Sequence, residues 1–136
     1  ASLREKWASG PTSYLGLAVA GFPNMFTITG PGSPSVLTNM LPSIEQHVDW
    51  VADCLAHVRR GGRSCIEADP SAEESWSRHV EDVASRFLRS SVGSWWNGGN
   101  IEGKPRASMP YMGGFHTYLQ KCRDVADAGY EGFTMT

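Results

Sequence analysis

The most regular pattern in the chain is a run of apolar residues that recur every three or four positions between residues 37 and 58. This spacing places them on one face of a helix. Pro42 fits the first turn of that helix, where no amide donor is needed, and Gly61 and Gly62 end it. The sequence therefore predicts a long helix over residues 35–60 with an inward face formed by Leu37, Met40, Leu41, Ile44, Val48, Val51, Leu55 and Val58.

Two further helices are predicted by the same kind of spacing. One runs over residues 71–90, because Ser71 and Glu74 have the spacing of a capping box after Pro70. Its buried stripe is Trp76, Val80, Val83, Phe87 and Leu88. The other runs over residues 117–128 and stops at Gly129, with Tyr118, Leu119, Cys122, Val125 and Ala126 facing inward.

A short strand and a sharp turn precede the long helix. Residues 25–29 (MFTIT) are β-branched and aromatic, which favours a strand, and residues 30–34 (GPGSP) contain two glycines and two prolines, which predict a turn. Open α/β folds place anionic or polar ligand edges at such a turn. The segment GPGSPSVLT nevertheless lacks the spacing of a phosphate loop or a dinucleotide fingerprint. A ligand-facing turn and a plain structural turn both stay open.

The glycine-rich stretch over residues 93–105 is predicted to be a loop, and it holds the adjacent tryptophans Trp95 and Trp96. A tryptophan in such a loop offers an apolar ring and one indole donor, which suits it to hold a nucleotide or a sugar edge. The alternative is that both rings anchor the loop in the core.

Composition narrows the class of protein. The chain has 136 residues, enough for one cored domain, and its net charge of -2 gives no excess of positive charge for nucleic acid or an anionic membrane. Its longest apolar run, residues 15–22, is far shorter than a membrane span. Three widely spaced cysteines suit reduced thiols and a cytoplasmic location. Because the chain begins at Ala1 without an initiator methionine, we expect it to be a piece of a longer protein, the alternative being a pro-form or a trimmed form.

Other candidate chemistry finds little support. Cys54 and His57, three residues apart and near His47, invite comparison with a metal site, but no second ligand pair has suitable spacing, and a cysteine on a helix stripe is usually a small buried hydrophobe. The nucleophile motif of serine hydrolases is absent from the sequence. A solvated helix face accounts for the acidic residues Glu45, Asp49 and Asp53 better than acid–base chemistry does. We expect no metal.

Several long motifs carry a family resemblance. In chain order they are KWASGPTSYLGLAVAGFPNMF, TGPGSPSVLTNMLPSIEQHVDWV, SWWNGGNIEGKPR, YMGGF and GYEGF. Over residues 3–133 the chain resembles the C-terminal part of a Baeyer–Villiger monooxygenase, most of all the phenylacetone and steroid monooxygenase branch. The resemblance implies an enzyme that uses NADPH, FAD and dioxygen to convert a ketone to an ester or a lactone. It also implies an α/β fold, namely the C-terminal part of a Rossmann-like FAD-binding domain with one short strand, about three helices and a long Gly/Trp-rich loop.

The resemblance also implies roles for individual residues. Met40 matches a flavin contact at the start of the long helix and borders the ketone pocket, which Ser35, Val36 and Leu37 line. Trp95 matches a tryptophan that binds NADP, whereas Lys104, in the same loop, receives no role. Relatives often have a small residue at the position of Val36.

The resemblance also implies what the chain lacks. Both dinucleotide fingerprints and the arginine needed for catalysis lie outside this sequence, so we expect no catalytic residue in it and no activity from it alone. Its partners would be a ketone, dioxygen and the missing N-terminal FAD and NADPH domains.

We divide the predicted segment into three parts: residues 1–34 form a loop, the short strand and the Gly/Pro turn, residues 35–60 form the helix that faces the flavin, and residues 61–136 form wrapping helices and the cofactor loop. Two alternatives remain, an independent helical module that binds a ligand without catalysis, and a purely structural subunit.

Overall fold

The computed structural model describes residues 2–34, 38–87, 95–103, 105 and 107–136. In these residues the chain forms four helices and two short strands. The helices are α1 (Leu3–Lys6), α2 (Met40–Arg60), α3 (Pro70–Ala84) and α4 (Phe115–Asp127). The strands are β1 (Ile66–Ala68) and β2 (Phe133–Met135), and residues Trp95–Asn97 form one 3₁₀ turn.

The long helix is confirmed over Met40–Arg60, but Thr38 and Asn39, inside its predicted range of 35–60, are not helical, and its predicted inward face is wrong in part. Helix α2 begins at Met40, capped by Asn39, whose side chain accepts the Leu41 amide, and Pro42 lies in its first turn as predicted. Its buried positions are Ser43, His47, Trp50, Cys54 and Val58. Among the described members of the predicted apolar stripe, which exclude Leu37, only Val58 is fully buried, whereas Leu41, Val48 and Leu55 are 70%, 50% and 39% exposed. Buried polar partners, described below, account for part of the difference, because they hold His47 and Trp50 inward.

Helix α3 also differs from its prediction at both ends. Asp69 occupies the cap position without a side-chain cap bond and Pro70 begins the helix, so the capping box predicted for Ser71 and Glu74 is wrong. Proline's preset φ makes position 70 a natural first residue. The helix ends at Ala84, with Trp76 and Val80 buried as predicted, whereas Phe87 is 44% exposed. Residues 88–90 lie outside the described part.

Helix α4 and a small sheet close the chain on itself. Tyr118 and Cys122 are buried, as predicted for this helix, and Gly129 follows its end with a positive φ of 73°. Strands β1 and β2 pair antiparallel with Glu67 opposite Thr134. This pairing joins the C-terminus to the connection between α2 and α3.

The strand predicted for residues 25–29 does not form. Phe26 makes one isolated bridge with Ala18, while Asn24 and Thr29 have left-handed backbones with φ of 59° and 53°. Two left-handed residues around so short a segment turn it away from any ladder. The segment is instead held by single hydrogen bonds, among them the Thr27 amide to the Leu17 carbonyl at 2.8 Å.

The core is rich in aromatic rings that use their polar atoms. Trp50 packs edge-on against Tyr130 at 5.1 Å between ring centroids and donates its indole N–H to the Cys122 carbonyl at 2.9 Å. Trp76 stacks on Tyr111 at 5.4 Å. The contacts of Trp50 join α2 to α4. The stacking of Trp76 on Tyr111 joins α3 to the segment before α4. Within the described residues, no helix is long and apolar enough to cross a bilayer.

Candidate functional site

The Gly/Pro turn is held from two sides by the core. Trp76 of α3 donates its indole N–H to the Gly32 carbonyl at 3.1 Å, and the Gly32 amide donates to the Met109 carbonyl at 2.6 Å. Gly32 has a φ of 82°, and a Cβ there would lie 2.8 Å from the Trp76 indole nitrogen. The turn therefore requires glycine for its backbone angle and for its contact with the indole.

The end of the turn next to residues 35–37 is buried and fully hydrogen-bonded. Ser33 donates its hydroxyl to the Gly30 carbonyl at 2.8 Å and accepts the Tyr111 amide at 2.7 Å on its own carbonyl. Pro34 is also buried. Ser33 and Pro34 thus give the turn a buried, hydrogen-bonded end.

The start of α2 presents a positive helix end. The first turn contains no acidic residue, and Met40, its first residue, is 36% exposed. The first amides of a helix lack carbonyl partners and carry partial positive charge, so they favour a negatively charged group. Asn39 accepts only the Leu41 amide, at 3.2 Å. This end of the helix can therefore hold an anionic edge.

A buried hydrogen-bond chain fixes α2 behind this end. The Thr29 amide donates to His47 Nδ1 at 2.9 Å, and His47 Nε2 lies 2.8 Å from the Tyr118 hydroxyl. The Tyr118 hydroxyl also lies 2.6 Å from the Leu15 carbonyl, which can only accept. Because Nδ1 accepts a hydrogen bond, the neutral ring carries its proton on Nε2. The Nε2–H group donates a hydrogen bond to the Tyr118 hydroxyl, which in turn donates one to the Leu15 carbonyl.

The His47 and Tyr118 side chains of this hydrogen-bond chain are fully buried, and their pKa values reflect that. Burial lowers the pKa of His47 to about 4 and raises the pKa of Tyr118 well above its usual range. Both groups are therefore neutral near pH 7. This hydrogen-bond chain holds α2 against α4 and against the segment before the turn. It carries no charge itself.

The geometry does not support a metal site at Cys54 and His57. Cys54 is fully buried and burial raises the pKa of its thiol to about 12, as fits a small buried hydrophobe. His57 packs against Tyr130 with ring centroids 5.0 Å apart. Among the described residues no three histidine, cysteine or acidic side chains cluster as metal ligands do.

The tryptophan loop is described from Trp95 to Gly103. Trp95 opens the 3₁₀ turn and is 53% exposed, which argues against its being a core anchor. The turn is held in place because the Asn97 carbonyl accepts the Ala107 amide at 3.1 Å. Trp95 thus lies on a surface where its ring is half accessible.

An apolar cavity of about 210 Å³ lies beside Pro34 and Thr38, the described residues on either side of residues 35–37. Pro34 and Thr38 line it on one side, and it is completed by Phe87, Tyr111, Met112, Gly114 and Phe115. Sequence reasoning recognised residues 111–115 as the YMGGF motif but assigned them to no site, because only the fold brings them to Pro34.

The predicted site residues fall on separate segments. Met40 begins α2 and Trp95 opens the 3₁₀ turn, while Ser35, Val36 and Leu37 lie outside the described residues, as does Lys104, for which no role was predicted. Sequence reasoning also missed His47 and Tyr118 as a pair. A histidine three positions before Trp50 and seven before Cys54, on the same helix face, was the available signal, but nothing in the sequence shows that residue 118 is its partner.

Two curated relatives of this chain are both monooxygenases. No family model matches the chain. The phenazine N-monooxygenase of Lysobacter antibioticus is 40% identical over 134 residues, which are 98% of this chain and 24% of the relative. The acetone monooxygenase of Gordonia sp. is 35% identical over 136 residues, 99% of this chain and 26% of the relative. The chain therefore spans about a quarter of the curated relatives it matches.

Solved structures of monooxygenases also match almost the whole of this chain, which again covers about a quarter of each. An oxidised steroid monooxygenase bound to NADP matches with a TM-score of 0.92 and 44% identity, covering 99% of this chain and 24% of the other. Cyclohexanone monooxygenase from Rhodococcus sp., also bound to NADP+, matches with a TM-score of 0.93 and 37% identity over 98% of this chain and 25% of the other.

Fold and relatives together show that the chain is similar to one segment of several monooxygenases. More particularly, it is similar over almost its whole length to one segment of the Baeyer–Villiger monooxygenases, one of which is 36% identical over 95% of this chain. The resemblance seen in the motifs is thereby confirmed.

Proposed function

We propose that this chain is the C-terminal segment of the FAD-binding domain of a Baeyer–Villiger monooxygenase, which converts ketones to esters or lactones with NADPH and dioxygen. The observation that carries the proposal is the exposed start of α2 beside a rigid Gly/Pro turn, in a chain 44% identical to a steroid monooxygenase whose structure contains NADP. The Rossmann-like part of that domain would come from the remainder of the protein, which also supplies both dinucleotide sites.

The described residues fit the edge of a flavin. The positive end of α2, with no acidic residue in its first turn, suits the negative charge that a reduced flavin carries on its pyrimidine edge. When bound, FAD supplies the redox chemistry. Met40 would contact it, and the hydrogen bonds of Gly32 and Ser33 would keep the approach to α2 in one position.

Residues 35–37 are proposed to line the ketone pocket, together with Met40. Their bulk would then set which ketones fit, because a change of one or two methylene groups in an apolar pocket alters discrimination by about 1–3 kcal/mol. The reaction itself would not depend on them.

Trp95 is proposed to hold NADP through its indole donor. Its half-exposed position in the 3₁₀ turn supports this role, because the ring can meet a ligand there. In the full-length parent, Trp95→Ala should raise the concentration of NADPH needed for half-maximal rate at least tenfold, with flavin content unchanged.

The matched control for Trp95 is Ile101→Ala, which shortens another half-exposed apolar side chain of the same loop. It should leave the NADPH requirement within twofold of the parent. Equal NADPH requirements for Trp95→Ala and the parent would remove Trp95 from the site.

The pocket assignment is tested by Val36→Gly in the same full-length protein. The ratio of kcat/KM for a bulky ketone to that for a small one should rise, and because it is a ratio, a general loss of active enzyme cancels. An unchanged ratio would show that residue 36 does not line the pocket.

Activity of the isolated chain separates this proposal from an independent ligand-binding module. The 136-residue chain should neither retain FAD nor oxidise ketones. Stoichiometric binding of FAD by this chain alone would favour the module.

A further inference from the structure

Helix α2 has a second apolar face besides the one it buries. At about 100° per residue, the buried positions 43, 47, 50, 54 and 58 cover an arc of roughly 80°. Leu41, Ile44, Val48 and Leu55 fall in the neighbouring arc, of roughly 60°. We call these four residues the outer stripe.

The outer stripe is largely exposed to solvent. Leu41 is 70% exposed, Val48 50% and Leu55 39%, and Ile44 is half-buried. These residues account for three of the eight large apolar side chains exposed in the described part of the chain. Isolated exposed apolar residues are ordinary, but a row along one face of a helix indicates a contact surface. Together the buried arc and the outer stripe span roughly 180°, wider than the ~100° of a helix that packs on one side only.

We propose that the outer stripe of α2 is the docking surface for the remainder of the same polypeptide. This inference rests on the proposed function, and it adds the surface through which the segment meets the rest of the enzyme. The length of the relatives argues for this occupant, because the chain spans about a quarter of them and three quarters of such a protein must pack somewhere.

Charges around the stripe specify the chemistry of the occupant. Glu45 is exposed one turn from both Leu41 and Val48, and Arg59 is exposed one turn beyond Leu55, in line with the stripe. The occupant should therefore offer an apolar strip that has a basic side chain opposite Glu45 and a carboxylate opposite Arg59. Complementary charges of this kind set orientation and register.

Cysteine labelling in the full-length parent tests the docking surface. Val48→Cys places a thiol on the stripe, and Asp53→Cys, the matched control, places one on the exposed acidic face of the same helix. In the full-length protein, maleimide should label Cys at position 48 at least tenfold more slowly than at position 53. In the 136-residue chain the two rates should agree within threefold.

A second stripe position keeps the test informative if Val48→Cys fails to fold. Leu41→Cys should show the same protection in the full-length protein. Equal labelling of stripe and control positions in that protein would overturn the inference. So would protection in the 136-residue chain that increases with its concentration, because the occupant would then be a second copy.

The outcome is distinguishable from that of the proposed function. A full-length protein that oxidises ketones but labels rapidly at positions 41 and 48 would refute the docking surface and leave the function standing. A full-length protein that protects these positions but neither holds FAD nor oxidises ketones would refute the function alone.

Discussion

The buried His47 predicts a specific loss of stability in acid. The ring accepts the Thr29 amide and donates to the Tyr118 hydroxyl, and it is fully buried. Protonation would place a donor against the Thr29 amide, which also donates, and would bury an uncompensated charge. Folding therefore favours the neutral ring.

The magnitude follows from the two pKa values. His47 titrates at about 4 in the folded chain and near 6.5 when unfolded. Because the folded-state pKa is lowered, the unfolded chain takes up the proton first, and stability falls as pH drops below 6.5. The loss should reach about 2 kcal/mol at pH 5 and about 3 kcal/mol at pH 4.

Urea unfolding followed by circular dichroism at pH 7 and pH 5 measures this loss. His47→Gln keeps one acceptor and one donor but does not titrate, so its free energy of unfolding should change by less than about 1 kcal/mol between the two pH values. His79→Gln is the control. Burial also lowers the pKa of His79, but that ring is only half-buried.

Two results would refute the reasoning. One is a wild-type free energy of unfolding that is the same at pH 7 and pH 5. The other is a His47→Gln variant that loses as much stability as the wild type over this range, since another group would then be responsible.

Three substitutions test other parts of the structure, each by urea unfolding at pH 7. Gly16→Ala should cost at least about 2 kcal/mol more than the control Gly21→Ala. Both glycines have positive φ, but a Cβ at Gly16 would lie 2.6 Å from Ser33 Cβ whereas one at Gly21 meets open space, so equal losses would contradict the packing described. Glu73→Ala should cost about 2 kcal/mol or more, because the buried carboxylate accepts the Ala20 amide and pairs with Lys6 at 2.9 Å, and a loss below about 0.5 kcal/mol would contradict this. Tyr118→Phe should cost about 2–4 kcal/mol, because it leaves His47 and the Leu15 carbonyl without their partner, and a neutral effect would show that the buried chain contributes no stability.

Periodicity predicted the three main helices, because each combines apolar spacing with a proline or glycine near an end. Pro42 and Gly129 lie where the sequence predicts them, in the first turn of α2 and after α4. Periodicity could not predict which arc of α2 faces inward. That choice depends on hydrogen bonds from His47 and Trp50 to residues more than 70 positions away.

Long-range pairing also explains the error in the strands. Residues 25–29 have strand-forming side chains but find no neighbouring strand, whereas Ile66–Ala68, with no marked pattern, pairs with residues at the C-terminus. Strand formation depends on a partner, and nothing local in the sequence specifies that partner.

The candidate site was predicted through its motifs and only partly through physical reasoning. The turn at 30–34 and the start of α2 were recognisable from proline, glycine and helix spacing. The anchoring contacts of Gly32 with Trp76 and Met109 were not, since they join three distant segments.

The most direct test of the central claim is the visible absorbance spectrum of the purified protein, measured for the 136-residue chain and for the full-length polypeptide that contains it. The account predicts flavin absorbance for the full-length protein and none for the chain alone. A colourless full-length protein, or a yellow 136-residue chain, would contradict it.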